Sequence, residues 1–435
     1  MLTPGGPAER LCETAGPQLY QHNAFRITGL STDVTRRALR DFRQKVTLAA
    51  DLGRPVERGE LPLPVPATTE EILAALDDLL DPQRRIVHEL FWFWDTPDTT
   101  CSCVSSLHAD HDAAVRAHAC VLDMELAAKH CSDAPPVSER QGHWVDAAAR
   151  WCALLHRNAF WDHVRHRIEV LDDRRLDEST VDELRDTLPR ALVTPVVDLA
   201  VQAPAPSWLV TQAERWQTGP HVVEDLLTEA AAPLLENVRT LNAEADQQHE
   251  AGQTRQAARS VQADVVPLLQ RIDQLIPHHR NRANARARNN AAITLNNCAL
   301  ALMNRPGQAP TTEIRSFFDS AHSLVTDLET RRIIESNRAG LISAPTPAPP
   351  RAPGPASTPA GTRRPPVPVP ASVGERVAQV VGGLIGIVMV GLLIGLPFIL
   401  GQFLGGAGVV VGFGAWIFLY VLGVRADKRS KRGGH

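Results

Sequence analysis

The chain has 435 residues, enough for two or three domains at about 150 residues each. Lys plus Arg number 45 and Asp plus Glu 49, a net charge of −4, which excludes a generally basic nucleic-acid coat. A hydrophobic content of 44 % excludes a wholly disordered chain, and seven Cys over this length exclude a disulfide scaffold.

The opening MLTPGGPAERLCETAG has no apolar run of the signal-peptide kind. Helical organisation begins at about residue 19. Over 31–51, Ser31 or Thr32 is the expected cap, and Val34, Ala38, Phe42, Val46 and Ala49 recur near helical spacing. A loop rich in Gly and Pro follows, from Gly53 to Pro66. Thr68 or Thr69 caps a second helix carrying Ile72, Leu73, Leu76, Leu79 and Leu80, which stops near Asp81-Pro82. A third element runs from Arg84 to Trp94, RRIVHELFWFW. Its rings Phe91, Trp92, Phe93 and Trp94 cannot all face one side of a helix. They are expected to form a core seam, with a hydrophobic partner groove as the functional alternative. Base stacking beside Arg84 and Arg85 is opposed by the acidic run Asp77, Asp78 and Asp81, so no nucleic-acid partner is expected.

These residues resemble a degenerate J-domain (DnaJ-like). Phe25, Gly29 and Leu30 match the opening element of that family, and Ala75, Leu79, Asp81 and Arg85 its closing one, with His88-Glu89 in place of Tyr-Asp. The combination is similar to a group of actinobacterial J-like proteins carrying HELFWFW ahead of helical repeat-like regions. The resemblance implies a J-like helical unit over 19–95. J-domains drive their Hsp70 partner through a His-Pro-Asp turn between the core helices. The corresponding interval, TLAADLGRPVERGELPLPVP, has none. The resemblance therefore implies a scaffold or docking unit, with a co-chaperone of atypical Hsp70 coupling as the alternative.

Residues 101–167 are rich in Cys and His. Cys101, Cys103, His108 and His111 invite a zinc reading, but their spacing is C-x-C-x4-H-x2-H. Structural zinc sites more often separate paired cysteines by two to four residues. The preferred reading is helix-face histidines and small buried thiols, with no metal or other cofactor. His111, Val115, His118, Val121 and Leu122 share a helix face. A pocket joining Cys103, His108 and His118 would favour an enzyme, and their dispersal a non-catalytic protein.

From 104 to 340 the pattern is an α-helical array or bundle. Helices are expected around Trp144–Leu155, Phe160–Ile168, Val181–Leu199 (broken at Pro189 or kinked at Pro195), Val222–Glu244, Gly252–Leu275, Asn284–Asn304 and Thr312–Asn337. Toward 223–304 the array resembles tetratricopeptide packing: Gly252 sits in a turn, and Ala257, Ala258, Ala291, Ala292 and Ala299 are small residues that let helices approach, though no clean 34-residue period is present. Asn289, Asn296 and Asn297 are unusual within a helix. They are expected either to line a peptide-binding face or to knit neighbouring helices. No nucleotide-binding, metalloprotease or serine-hydrolase motif occurs.

Residues 341–375 hold 11 of the 33 prolines and read as a disordered linker. Val377–Leu400 and Gly405–Val424 are uncharged and long enough to span a bilayer as helices, predicting a two-helix transmembrane hairpin. Gly382/Gly386 and Gly391/Gly395 form small-residue pairs that would permit self-association. The basic tail 425–435, with Arg425, Lys428, Arg429, Lys431 and Arg432, places both termini in the cytoplasm. The whole predicts a mainly α, multi-pass cell-membrane protein, non-catalytic, that meets a protein partner and the lipid bilayer. An enzyme using a Cys/His cluster assembled in the fold is the second alternative.

Overall fold

The structure is a computed structural model and describes residues 5–52, 61–97, 101–129, 135–219, 221–305 and 307–343. Among these residues the chain is mainly helical, with no strand. The first five helices are α1 (Pro7–Thr14), α2 (Ala24–Thr28), α3 (Arg36–Asp51), α4 (Thr69–Leu80) and α5 (Pro82–Leu90). Local chemistry sets their ends. Asn23 caps α2, whose exit at Gly29 is left-handed with φ 70°. Thr68 and Glu71 form a reciprocal capping box on α4, and Asp81 caps α5 ahead of Pro82. The start of α3 differs from expectation. Thr35 is its cap, because Thr32 is committed elsewhere, donating to the carbonyl of Phe93 at 3.2 Å.

The third expected element also ends early. α5 stops at Leu90, and Phe91 to Trp94 leave it in a non-helical path. An extended segment can bury side chains on both flanks, and all four rings are buried. Phe91 lies against Tyr20 and Trp151. Arg116 sits over Phe93, 4.6 Å from its centroid. All four pack into the core, as the core-seam reading expects.

Then come α6 (Ser105–Ala128), α7 (Val137–Leu155), α8 (Asn158–Leu171) and α9 (Glu178–Gln202). α6 and α7 pack as a hairpin, and α5 packs on α8. α9 is not broken at Pro189 or Pro195. It runs unbroken through both, because its apolar residues are packed by α1, α8 and the helices after it, which outweighs the lost backbone bonds. The remaining elements are α10 (Ser207–Ala213), α11 (Val222–Glu250), α12 (Thr254–Ser260), a π turn (Val261–Val265), α13 (Val266–Leu275), α14 (Arg282–Met303), α15 (Thr311–Leu324) and α16 (Leu328–Ser343). The π turn ends two residues before Pro267, which has no N–H for the ladder. The single helix expected over 312–337 is two helices, and α16 continues through Leu341 to Ser343.

The described residues all lie within one compact unit, 1–346. The multi-pass membrane placement is corrected. Among the described residues no helix is long and apolar enough to cross a membrane. The expected spans 377–400 and 405–424, with most of the Pro-rich linker and the basic tail, lie outside the described residues.

His118 is buried in the middle of α6 against Tyr20, Trp144 and Trp216, and Tyr20 Oη lies 3.2 Å from its Nδ1. Desolvation pushes its imidazole down to about 3. An unfolded imidazole protonates near 6.5, so below that pH the unfolded chain holds a proton that the folded chain refuses. The contribution is complete above pH 6.5 and is lost as pH falls toward 3. Between pH 7 and 5, urea unfolding of the wild type is expected to lose about 2 kcal/mol more than that of His118→Gln. Equal losses in the two proteins would refute this.

Candidate metal centre

Four side chains from two helices and a loop converge at one point. Cys101 and Cys103 lie in the segment before α6, His108 on the first turns of α6, and His163 on α8. One ligand-capable atom from each lies within 4.8 Å of all the others. His163 Nδ1 is 3.5 Å from both Cys101 Sγ and Cys103 Sγ, and His108 Nε2 is 3.6 Å from Cys101 Sγ. A tetrahedral zinc ion bonds sulfur at about 2.3 Å and imidazole nitrogen at about 2.05 Å, which holds the two about 3.5 Å apart. These three sulfur–nitrogen spacings match those of a Cys2His2 zinc site.

The surroundings fix the imidazoles. His108 donates from Nδ1 to the carbonyl of Asp95 at 2.9 Å, which leaves the lone pair on Nε2 facing the cluster. Asp95 itself has φ 56°, a left-handed conformation that costs about 1 kcal/mol for a residue with a Cβ. Asp112 holds it there: its carboxylate accepts from the backbone N–H of Trp94 at 2.7 Å and of Asp95 at 3.1 Å. Trp94 supplies the apolar wall. Its ring centroid is 3.9 Å from that of His163 and stacks at 3.6 Å on His111.

Burial decides the protonation states of the bare site. Desolvation pushes His163 down to about 2, so the ring is neutral and able to bind a metal. Burial and the adjacent Cys101 push the Cys103 thiol up to about 12. A bound zinc ion would replace both thiol protons, and two thiolates with two neutral imidazoles around Zn2+ sum to zero charge, which suits a half-buried site.

Three of the four residues that the sequence offered as weak metal candidates, Cys101, Cys103 and His108, are thus brought together. His111 is not. Its Nε2 donates to the carbonyl of Leu90 at 3.1 Å and its Nδ1 lies beside Asp112, so both ring nitrogens are committed. The fourth ligand is His163, which sequence reasoning missed. The available signal was its place on the buried stripe of α8, between Phe160 and Val164, where a polar residue needs a partner. Cys103 and His108 converge, whereas His118 stands apart with Tyr20.

No protein-family model, curated protein or solved structure matches this chain. The asparagines are used internally. Asn289 Oδ1 accepts from Thr326 N at 2.7 Å, Thr326 Oγ1 at 3.0 Å and Asp327 N at 3.2 Å, anchoring the entry to α16. Asn296 accepts from Asn337 on that helix at 2.9 Å and donates to Asn297 at 3.4 Å. The amides of Asn289 and Asn296 join α14 to α16 and its entry, the plainer of the two roles expected, while Asn297 is exposed and its side chain bonds only Asn296 among the described residues.

One turn beyond His163, Arg167 closes a buried ionic network. Glu89 accepts from Arg85 Nε at 2.7 Å, Arg167 Nε at 2.9 Å and Arg167 Nη2 at 3.0 Å. Both guanidinium groups also donate to the carbonyl of Thr32, at 2.7 and 2.9 Å. The network ties α8 to α5 and so places His163. Glu89→Ala removes the carboxylate that the buried Arg85 and Arg167 share. The expected loss of folding stability is about 3–5 kcal/mol, read by chemical denaturation, and a loss under 1 kcal/mol would refute the role.

Proposed function

We propose that this protein is a zinc-stapled helical scaffold that docks a protein partner and performs no catalysis of its own. The observation that carries the reading is the filled coordination sphere. Cys101, Cys103, His108 and His163 would supply all four ligands of a tetrahedral zinc, whereas a catalytic zinc keeps one position open for water or substrate. The resemblance of 19–95 to a J-domain without its His-Pro-Asp turn agrees with docking in place of chaperone coupling.

The zinc would act as a staple. Its two cysteines come from the segment that leaves the Trp94 wall, and its two imidazoles from α6 and α8. Binding energy spent on joining these elements is folding energy, as in other structural zinc proteins.

Elemental analysis of the purified full chain is expected to give one zinc per molecule, and Cys101→Ser or Cys103→Ser to abolish it. Cobalt substitution is expected to give the intense visible bands of a tetrahedral thiolate–imidazole site, unchanged by added azide. Azide-sensitive bands would reveal an open position and overturn the structural reading. Absence of stoichiometric metal would overturn the centre itself. Asp112→Ala, which releases the backbone that aims His108, is expected to weaken zinc binding about tenfold in a chelator competition while the stoichiometry stays at one.

A further inference from the structure

We propose that Cys101 and Cys103 form an oxidant-responsive modification site, in which a small hydroperoxide enters the cavity over the metal centre, oxidises the pair to a disulfide and releases the zinc. The inference rests on the zinc reading above and adds its regulation.

The centre has two unlike sides. His108 and His163 are each 3 % exposed, whereas Cys101 and Cys103 are both partly exposed. A cavity of about 160 Å3 lies over it, lined by Cys101, His108, His163, His166, Arg167 and Asp33, and its rim includes the exposed Ser31. Cys103 does not line it. At about 30 Å3 per water, this space takes a few water-sized molecules. Hydrogen peroxide or a short alkyl hydroperoxide fits, and a peptide disulfide such as oxidised glutathione does not. The walls are polar and include a guanidinium, which suits a small polar oxidant.

Thiolate, and not thiol, is the nucleophile toward peroxide, and a zinc ion keeps both sulfurs deprotonated. Cys101, on the cavity, is the sulfur that attacks the hydroperoxide oxygen. Its electron pair forms an S–O bond, the O–O bond breaks, and the departing alkoxide or hydroxide takes a proton from solvent. Cys103 then attacks the Cys101 sulfur. The S–S bond forms, the S–O bond breaks, and hydroxide leaves with a second solvent proton. In sum, two thiolates, one hydroperoxide and two protons give one disulfide, one alcohol or water, and one water. The second step is short, because the sulfurs lie within 4.8 Å of each other. Zinc is left with two imidazoles and dissociates.

The test uses the zinc-loaded full chain with its metal content measured first. A tenfold excess of hydrogen peroxide is added, freed zinc is read with a chromogenic chelator, and peptides are mapped by mass. Zinc release in step with loss of two hydrogens from the peptide holding Cys101 and Cys103, both reversed by a dithiol reductant and fresh zinc, is the expected result. Zinc retained while Cys12 or another thiol oxidises would overturn the proposal, as would release with both cysteines still reduced. A chain that holds no zinc at the outset overturns the metal centre and this proposal together, whereas a loaded chain indifferent to peroxide overturns this proposal alone. A bulky aryl hydroperoxide is expected to release zinc at least ten times more slowly than hydrogen peroxide. Equal rates would remove the cavity as the route.

Discussion

Two imidazoles and two thiols drawn within 4.8 Å of one another against an indole wall are the constraint around which the N-terminal half is arranged. Polar groups taken out of water must find partners, and here they find each other. His163, held neutral by burial, has no proton to give up to a metal, and burial holds the Cys103 thiol protonated until a cation displaces its proton. The geometry suits the proposed capture of a divalent ion that prefers sulfur and nitrogen ligands.

The rest of this half is built to hold that arrangement. Trp94 would be an ordinary core ring if α5 continued, but the helix ends at Leu90 and the aromatic run extends alongside α6 and α8. Asp112 fixes the strained backbone at Asp95, and that backbone orients His108. On the other side, the Arg85–Glu89–Arg167 network fastens α8, which carries His163. Apart from Arg85–Glu89, one turn apart on α5, these contacts join residues far apart in the chain, so the four side chains are positioned by packing and not by a local motif. That is also why the spacing departs from that of compact zinc knuckles, which fold around the ion from a single short segment.

Much of the helical architecture was legible from local chemistry. Thr68 or Thr69 as cap, the apolar spacing of Ile72, Leu76 and Leu79, and the stop at Asp81-Pro82 mark α4, and the structure settles the cap as Thr68. Where reading failed, a long-range contact had overridden a local preference. Thr32 looks like a helix cap and instead donates to Phe93. Pro189 and Pro195 look like breaks and are carried through by the packing of α9. His111 looks like a ligand because it lies three residues after His108, yet the Leu90 carbonyl and Asp112 take both its nitrogens.

By itself, the sequence determined that the described chain is helical, where the middle of several of its helices lies, and that thiols and imidazoles are concentrated between 101 and 167. Periodicity, caps and composition are properties of neighbouring residues, and neighbours are what a sequence displays. Only the tertiary structure decided which histidine meets the cysteines. That choice depends on the crossing of α6 and α8 and on the chain path through Trp94, which are set by burial summed over many distant residues. His163 stands 60 residues from Cys103 in the chain and 3.5 Å from it in space.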